Sequence, residues 1–302
     1  MSGILVTGAN GHLGRRLIRE LVHDVAVTAL VRSERAKRVL LKHVAPCDAL
    51  TVVVANPCDV NALIDAARGC TQAVHLIGTI RATRKAGYED AHERPAGALL
   101  AALAQTTLKH IVTISILGAS PASLCACLRS RVETEQQLLA GPVPVSVLRV
   151  PMVLGEKDRA STALRKRALA KRVLLFRADC LEQPIYAGDV IAAMRSTLNQ
   201  PPLVNQVLEL AGPISVTRRE LIERAAGQLN RQPAIYSLPL WVGMAAAALL
   251  EFAMANPPVT RDMLRLFDHD DAIDAQLAAR RLAIELTPLT DMLARCIDNQ
   301  QA

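Results

Sequence analysis

Three glycines near the start of the chain have the spacing needed to hold a nucleotide. Gly8, Gly11 and Gly14 follow a short apolar run, and a helical pattern begins among them. Gly8 permits a tight turn, Gly11 lets backbone amides approach a pyrophosphate, and Gly14 lets the helix pack on a sheet. Because a helix N-terminus also presents free N–H groups to phosphates, the spacing predicts a dinucleotide-binding turn. The predicted binding segment comprises Gly8, Asn10, Gly11, His12, Leu13 and Gly14.

The residue after the second apolar run indicates which dinucleotide is bound. An acidic residue at this position would accept hydrogen bonds from the ribose hydroxyls of NAD, but the chain has Arg32. A guanidinium would instead pair with a 2′-phosphate, and Arg15 and Arg35 could support it. We therefore expect NADP(H) as the preferred cofactor, with NAD(H) as the alternative. The competing interpretation is a solvated arginine at a strand end.

Elements that alternate between strand and helix must position these residues. Apolar runs predict strands at 3–6, 25–31, 50–54, 73–77, 110–115, 145–150 and 207–210. Helical spacing lies between them at 13–22, 34–41, 61–67 (with Asn61 as the cap), from the fourth strand to about 106, at 129–140 and at 188–198. Continuous apolar strands that alternate with helices predict an α/β fold, a Rossmann-type doubly wound parallel sheet.

The pattern also predicts how the chain is divided. We expect residues 1–155 to form the dinucleotide-binding Rossmann core, with 184–212 returning to it. Segments 156–183 and 213–302 would form a smaller, mostly helical C-terminal region that serves a substrate or partner. A length of 302 residues accommodates one large α/β domain with such an appendage.

Composition excludes several classes of protein. Hydrophobic residues make up 51% and charged residues 21%, which excludes a disordered chain. Three Tyr, three Phe and one Trp are too few for stacking on single strands, so we expect no nucleic-acid partner. The net charge of +7 is spread along the chain, as in a solvated basic surface or a protein with an anionic ligand. Seven cysteines without a C-x-x-C pair predict reduced thiols, no metal site and a cytoplasmic protein.

The most apolar stretch, residues 238–254, contains Pro239 and Glu251. It is too short and too interrupted for a transmembrane segment. We expect a core-packed or interface helix, and contact with a membrane surface is the alternative. The sequence therefore leaves two partners for this segment, a peripheral membrane and another protein. The first would make a cytoplasmic protein membrane-associated.

Taken together, the motifs resemble the short-chain dehydrogenase/reductase superfamily. The similarity covers most of the chain and is greatest to atypical and extended members, the NmrA-like group and the group of the NDUFA9-type subunit of respiratory complex I. The matching segments are 7–14, 74–78, Tyr88 with Gly97 and Ala98, 114–119, 148–155, 184–190 and 256–262. The resemblance implies that Leu76 and Gly78, at the end of the fourth strand, lie along the cofactor.

Two departures from the family pattern concern catalysis and adenine binding. The resemblance places Cys127 and Arg131 where the family keeps the Tyr and Lys of Y-x-x-x-K, and Ser115 at the first of its paired serines. A thiol can donate a proton but reaches less far than a phenol, and an arginine holds a ribose but relays no proton. Cys127 as a small apolar helix residue is the alternative. Asn56 replaces the adenine-binding Asp, and Pro57 after it has no N–H to give.

Three further side chains near the predicted cleft have structural alternatives. His75 and His92 could act as general acids or bases, or could pack in the core. Tyr186 matches a family position on the substrate side, where a structural hydroxyl is the simpler interpretation.

Two functions are compatible with these features. One is an NADP(H)-dependent reductase of a small apolar carbonyl or quinone, with protonation from solvent, Cys127 or a histidine. The other is a dinucleotide-binding accessory, assembly or redox-sensor protein with non-standard or absent hydride transfer, which loss of the Tyr–Lys pair favours.

Overall fold

The computed structural model describes residues 3–80, 87–254, 257, 259–266 and 268–297. The strands in these ranges are β1 Gly3–Thr7, β2 Val27–Val31, β3 Leu50–Val54, β4 Cys70–His75, β5 His110–Ile116, β6 Val145–Val150, β7 Val153–Leu154, β8 Arg172–Phe176, β9 Leu181–Glu182, β10 Ile185–Tyr186, β11 Gln206–Glu209, β12 Val216–Thr217 and β13 Ala234–Leu238. The helices are α1 His12–Leu21, α2 Glu34–Leu41, α3 Val60–Ala66, α4 Tyr88–Ala91, α5 Glu93–Leu103, α6 Ala126–Leu139, α7 Arg159–Leu169, α8 Ala187–Asn199, α9 Arg218–Gly227, α10 Leu240–Ala253, α11 Arg261–Leu266, α12 Ala275–Arg281 and α13 Leu289–Ile297.

Seven parallel strands form the central sheet in the order β11-β6-β5-β4-β1-β2-β3. The chain winds outward from β1 in one direction through β2 and β3, and in the other through β4, β5 and β6. The strand order therefore reverses between β1 and β4, and the carboxyl ends of these two strands border the crevice where such sheets bind ligands. The predicted Rossmann-type α/β fold is confirmed.

Helices cover both faces of the sheet. On one face, Leu17 and Ile18 of α1 pack with Ile191 of α8 against β1 and β2. On the other, Leu99 of α5 and Leu138 of α6 pack against β4, β5 and β6. Each of these side chains is buried, and burial of one large aliphatic group stabilises the fold by about 2 kcal/mol. This packing holds the strand ends at fixed positions.

Two local expectations are wrong. The segment after β4 is not one long helix, because α4 and α5 begin only at Tyr88 and Glu93 and meet at a bend at His92. Helix α3 is capped by Asp59 rather than Asn61, since the Asp59 carboxylate accepts from the Ala62 N–H at 3.1 Å. The aspartate has the extended backbone of a helix cap.

The C-terminal part adds short strand pairs and helices beside the sheet. β8 pairs with β13 in parallel, β12 pairs with β9 in antiparallel fashion, and α7, α9 and α13 enclose a separate apolar cluster. β11 returns to the main sheet beside β6. None of the helices in the described ranges combines the length and apolarity needed to cross a bilayer.

Helix α10 corrects a further expectation. Only Gly243 and Ala247 are buried, whereas Trp241 is 71%, Leu249 69% and Phe252 87% exposed. Gly243 faces Phe176 of β8, so the helix packs by its small residues. Within the apolar segment 238–254, α10 is therefore a surface helix with its large side chains outward. The core-packed interpretation is wrong, whereas the interface helix stays a prediction.

Candidate functional site

The glycine turn lies at the reversal of strand order. Gly8 has a φ of +70°, and a Cβ on it would meet the Leu76 carbonyl at 2.8 Å. A Cβ on Gly14 would meet the Ala9 oxygen at 2.7 Å. Leu76 N–H donates to the Thr7 oxygen at 3.1 Å, which brings the chain after β4 against the turn. Both glycines are thus required by close backbone approach.

The N-terminus of α1 has the features of a phosphate site. Gly11 is the N-cap residue, no side chain caps this helix, and its first turn carries no acidic residue. The N–H groups at the start of α1 therefore have no side-chain acceptor, and the helix dipole adds positive potential there. Arg15 lies in the first turn and donates from Nε to the Gly11 oxygen at 3.3 Å. The segment fits the pyrophosphate of a dinucleotide.

The three other members of the predicted segment, Asn10, His12 and Leu13, lie around the same turn. Asn10 is half-buried within the turn and Leu13 packs partly against the core. The His12 side chain points away from the helix end, because its Nε2 accepts from Arg16 Nε at 2.9 Å and lies 3.7 Å from Asp158. The backbone N–H of His12, rather than its ring, would therefore face a phosphate at the start of α1.

The residues predicted for the adenosine half lie together at the ends of β2 and β3. Val31 pairs with Val54, and Ala55 N–H donates to the Val31 oxygen at 3.0 Å. Arg32 and Asn56 follow directly, and both are exposed. The Asn56 side-chain oxygen accepts from Cys58 N–H at 3.0 Å and closes a local turn around Pro57. One lone pair of that oxygen is used within the turn, and the other remains free to accept.

Arg131 lies on the opposite side of the crevice, against the chain that follows β4. A Cβ on Gly78 would lie 1.9 Å from Arg131 Nη2, so the guanidinium can keep this position only while residue 78 is glycine. Nη1 donates to the Ile77 oxygen at 3.3 Å. Ser115, near the end of β5, and Arg131 line the same narrow void, which is too small to hold a water molecule. The structure therefore brings Gly78, Ser115 and Arg131 together.

Cys127 is one helical turn before Arg131 and is completely buried. Its Sγ lies 3.6 Å from the Thr79 oxygen, and its neighbours in an apolar cluster are Tyr88, Leu128 and Leu266. Burial raises the pKa of the thiol to about 12, although Arg131 opposes this effect. The thiol therefore stays protonated at neutral pH and is shielded from solvent.

The two candidate histidines are also buried and neutral. His75 Nδ1 lies 2.9 Å from the Thr7 hydroxyl, and burial together with Arg131 lowers the pKa of His75 to about 4. His92 contacts the Thr79 backbone through Nε2 and the Ser130 hydroxyl through Nδ1, and burial lowers its pKa to about 3. Both rings have packing roles, as does Tyr186, whose hydroxyl donates to Glu156.

Sequence reasoning missed two features of the site. Leu266 of α11 covers Cys127, and no spacing in the chain points to a contact between residues so far apart. Glu135 of α6 binds Arg149 with both oxygens under the void that Ser115 lines. The only signal for that pair was a charged residue in an otherwise apolar strand. In the ranges described, no group of three or more His, Cys, Asp or Glu is placed to hold a metal ion.

Comparisons with known proteins agree with this geometry. The mitochondrial NADH dehydrogenase (ubiquinone) 1 alpha subcomplex subunit 9 of Mus musculus is 23% identical over 295 residues, which are 96% of this chain and 78% of that protein. The mitochondrial 40 kDa subunit of NADH-ubiquinone oxidoreductase from Neurospora crassa is 22% identical over 274 residues, 90% of this chain and 72% of that one.

Solved structures show the same fold. The NADPH-dependent quinone oxidoreductase QOR2 of Escherichia coli, complexed with NADPH, superposes with a TM-score of 0.74 at 19% identity, covering 96% of this chain and 98% of that one. The enzyme WbmH of Bordetella bronchiseptica, in complex with NAD+, gives 0.74 at 14% identity, with 99% and 97% covered. The sequence model described as NAD(P)H-binding matches residues 8–168, more than half of the chain. The chain therefore belongs to the NAD(P)H-binding family, among the atypical short-chain dehydrogenase/reductase-like proteins that the motifs predicted.

Proposed function

We propose that this protein binds NADP(H) in preference to NAD(H) and has non-standard or absent hydride-transfer activity. The uncapped N-terminus of α1, reached through a turn that only Gly8 and Gly14 permit, carries the binding half of the proposal. Residues Gly8 to Gly14 would hold the pyrophosphate, Arg32 a 2′-phosphate, and Asn56 the adenine. The chain beside Leu76 and Gly78 would border the nicotinamide half. When bound, the dinucleotide would supply a transferable hydride.

Cys127 supports the catalytic half of the proposal. A general acid must reach the reacting atom and change its protonation near the working pH. The Cys127 thiol is sealed under Leu266, and burial raises its pKa to about 12. Arg131 keeps its proton and Ser115 is buried beside the void, so these three residues do not form a conventional proton relay.

Binding is tested by thermal shift with NADPH and NADH. A ligand of the native state at one hundred times its Kd stabilises that state by about 2.7 kcal/mol, which raises Tm by several degrees. Gly14→Ala should abolish the shift, because its Cβ would displace the turn. Gly97→Ala, where nothing lies within 4 Å of the added Cβ, is the matched control and should keep the full shift. No shift in the native protein would refute dinucleotide binding.

The preference for NADP(H) depends on Arg32. Arg32→Asp should weaken NADPH binding at least tenfold and leave NADH binding nearly unchanged, because a carboxylate repels a 2′-phosphate. Arg280→Asp makes the same charge change at an exposed position of α12, beside the opposite end of the sheet, and should alter neither affinity. Equal losses for both dinucleotides in the Arg32 variant would contradict the assignment.

An active reductase of a small apolar carbonyl or quinone is the second candidate. The fold shared with a structure named as an NADPH-dependent quinone oxidoreductase is the observation in its favour. Steady oxidation of NADPH with a panel of quinones and carbonyls would support it. Saturable binding without oxidation, unchanged in Cys127→Ala, would support the accessory or redox-sensor function, with which the relatives named as complex I subunits are consistent.

We further propose that α10 attaches the protein to an anionic membrane surface. Trp241, Leu249 and Phe252 lie on one exposed stripe of this helix, as in helices that rest in the headgroup region. The exposed pair Leu174 and Tyr236 on β8 and β13 extends the apolar surface. The exposed cations Lys171, Arg172 and Arg231 lie at the start of these strands.

Co-sedimentation with vesicles tests this attachment. The protein should bind vesicles that contain phosphatidylserine, and Leu249→Ser with Phe252→Ser should release it. Leu277→Ser removes an exposed leucine from α12 and is the control that should still bind. Failure of the native protein to bind would indicate that α10 meets another protein instead.

A further inference from the structure

Arg131 is a half-buried cation with few partners. Its Nη1 donates to the Ile77 oxygen, and its Nε is shielded from solvent and has no acceptor among the described residues. The guanidinium lies against Gly78, just beyond the end of β4. Burial of a charge is costly unless an opposite charge or a full set of hydrogen bonds compensates it. In the part of the chain that the structure describes, the Glu135 carboxylate compensates the charge of Arg131 only in part.

The groups around Arg131 do not neutralise it. Glu135, the nearest carboxylate on its helix, is bound by Arg149 at 2.7 and 3.1 Å. His75, His92 and Cys127 are all uncharged at neutral pH, since burial sets their pKa values at about 4, 3 and 12. Asp262, which acts on Cys127, accepts from Ala126 N–H and lies 3.9 Å from Arg265. The site beside Gly78 therefore keeps a positive charge that Glu135 offsets only in part.

The fold determines which part of a dinucleotide would meet that charge. A pyrophosphate at the start of α1 lies over the reversal point between β1 and β4. If the adenosine half runs toward Arg32 at the end of β2, the other half must run toward the ends of β4 and β5. Gly78 follows β4 and Ser115 lies near the end of β5, so Arg131 is on the nicotinamide side.

We infer that Arg131 makes this site select the reduced dinucleotide over the oxidised one. This inference rests on the proposed dinucleotide binding. An oxidised nicotinamide ring carries a positive charge, and a reduced ring carries none, whereas the phosphates are the same in both. Two like charges within about 10 Å, at an effective dielectric constant of about 20, repel strongly enough to change a dissociation constant about tenfold or more. The protein would thereby respond to the NADPH/NADP+ ratio without turnover.

The test is the ratio of dissociation constants for NADP+ and NADPH, measured by calorimetry on the full chain. We expect a ratio of at least about ten for the native protein. Arg131→Met should bring it close to one, mainly by tightening NADP+ binding, because the methionine fills similar space without charge. Arg131→Lys keeps the charge and should keep most of the ratio. Arg129→Met removes an exposed cation from the same helix and should leave the ratio unchanged.

Failure of the selectivity can be distinguished from failure of the proposed dinucleotide binding. A native protein that binds both forms equally well overturns the selectivity, whatever the variants do. A ratio that Arg131→Met does not alter assigns the selectivity to another group and also overturns it. If the native protein binds neither form, the proposed dinucleotide binding itself has failed.

Discussion

The Arg131 guanidinium lies in the space that a side chain on residue 78 would need. The two residues therefore share one space, and each restricts what the other can be. A methyl group on residue 78 would overlap the guanidinium, whose Nη2 lies 1.9 Å from the Cβ position. With any other residue after β4, the guanidinium would have to leave its present position. This relation explains why a position that borders the crevice has no side chain although its backbone needs no left-handed conformation.

The pair predicts strongly non-additive stability changes. Gly78→Ala should destabilise the protein by about 1–3 kcal/mol, because the added methyl group forces the Arg131 guanidinium out of its place. In an Arg131→Ala background the same substitution should cost little, which gives a coupling energy of at least about 1 kcal/mol. Urea unfolding of the two single variants and the double variant measures this coupling. Gly97→Ala, combined with Arg131→Ala, should be additive, and additivity for Gly78 as well would contradict the shared space.

At the scale of elements, α6 is fixed to the sheet by a buried ion pair. Glu135 is 3% exposed and holds Arg149 of β6 through both carboxylate oxygens, while Glu209 of β11 lies 3.5 Å from the same guanidinium and is 46% exposed. The Glu135 carboxylate raises the pKa of Arg149. Because α6 carries Cys127 and Arg131, this ion pair also positions the candidate site.

Removing the two carboxylates should have very different effects. Glu135→Ala leaves a largely buried guanidinium without its main partner and should cost about 3 kcal/mol of unfolding free energy. Glu209→Ala removes an exposed partner of the same arginine and should cost less than about 1 kcal/mol. Denaturant unfolding distinguishes these outcomes. Similar losses in the two variants would show that burial does not govern the strength of this network.

The sequence pattern predicts an element correctly where the residues of that element alone determine its bounds. β3 and β6 have the predicted bounds, because each is a mainly apolar run with a proline, Pro57 or Pro151, shortly after it, and α1 follows its glycine turn. The exposure of α10 could not be predicted, since an apolar helix has the same sequence whether its large side chains face a core or an outside surface. The cover that Leu266 places over Cys127 depends on a contact between distant segments, which periodicity does not encode.

At the scale of the whole molecule, three buried histidines make stability depend on pH. Burial lowers the pKa of His75 to about 4, of His92 to about 3 and of His110 to about 4. Their pKa in the unfolded chain is about 6.5. Below that value the unfolded state binds more protons than the native state, so stability falls as pH drops from about 6.5 toward 4. Above about pH 6.5 these histidines are neutral in both states, so they no longer change the free energy of unfolding.

The slope of this decline can be assigned to individual rings. Each histidine contributes up to about 1.4 kcal/mol per pH unit within that window. His110→Gln, at a position remote from the crevice where Gln can still reach the Ser146 hydroxyl, should reduce the slope by about one histidine's share. His23→Gln, at an exposed position, should leave the slope unchanged. Unfolding free energies measured between pH 4.5 and 7.5 provide the comparison, and an unchanged slope for His110→Gln would contradict the linkage.

Because α11 packs against α6 over Cys127, the rate at which this thiol reacts can report local opening of the structure. Leu266 closes the apolar cluster around this thiol, and α11 is joined to α10 through the ion pair of Arg261 with Glu251. A thiol reagent should therefore modify Cys127 only when Leu266 and the other members of this cluster move aside by local opening. The exposed Cys47 supplies the unprotected reference rate in the same molecule. The ratio of the two rates reports how often this opening occurs.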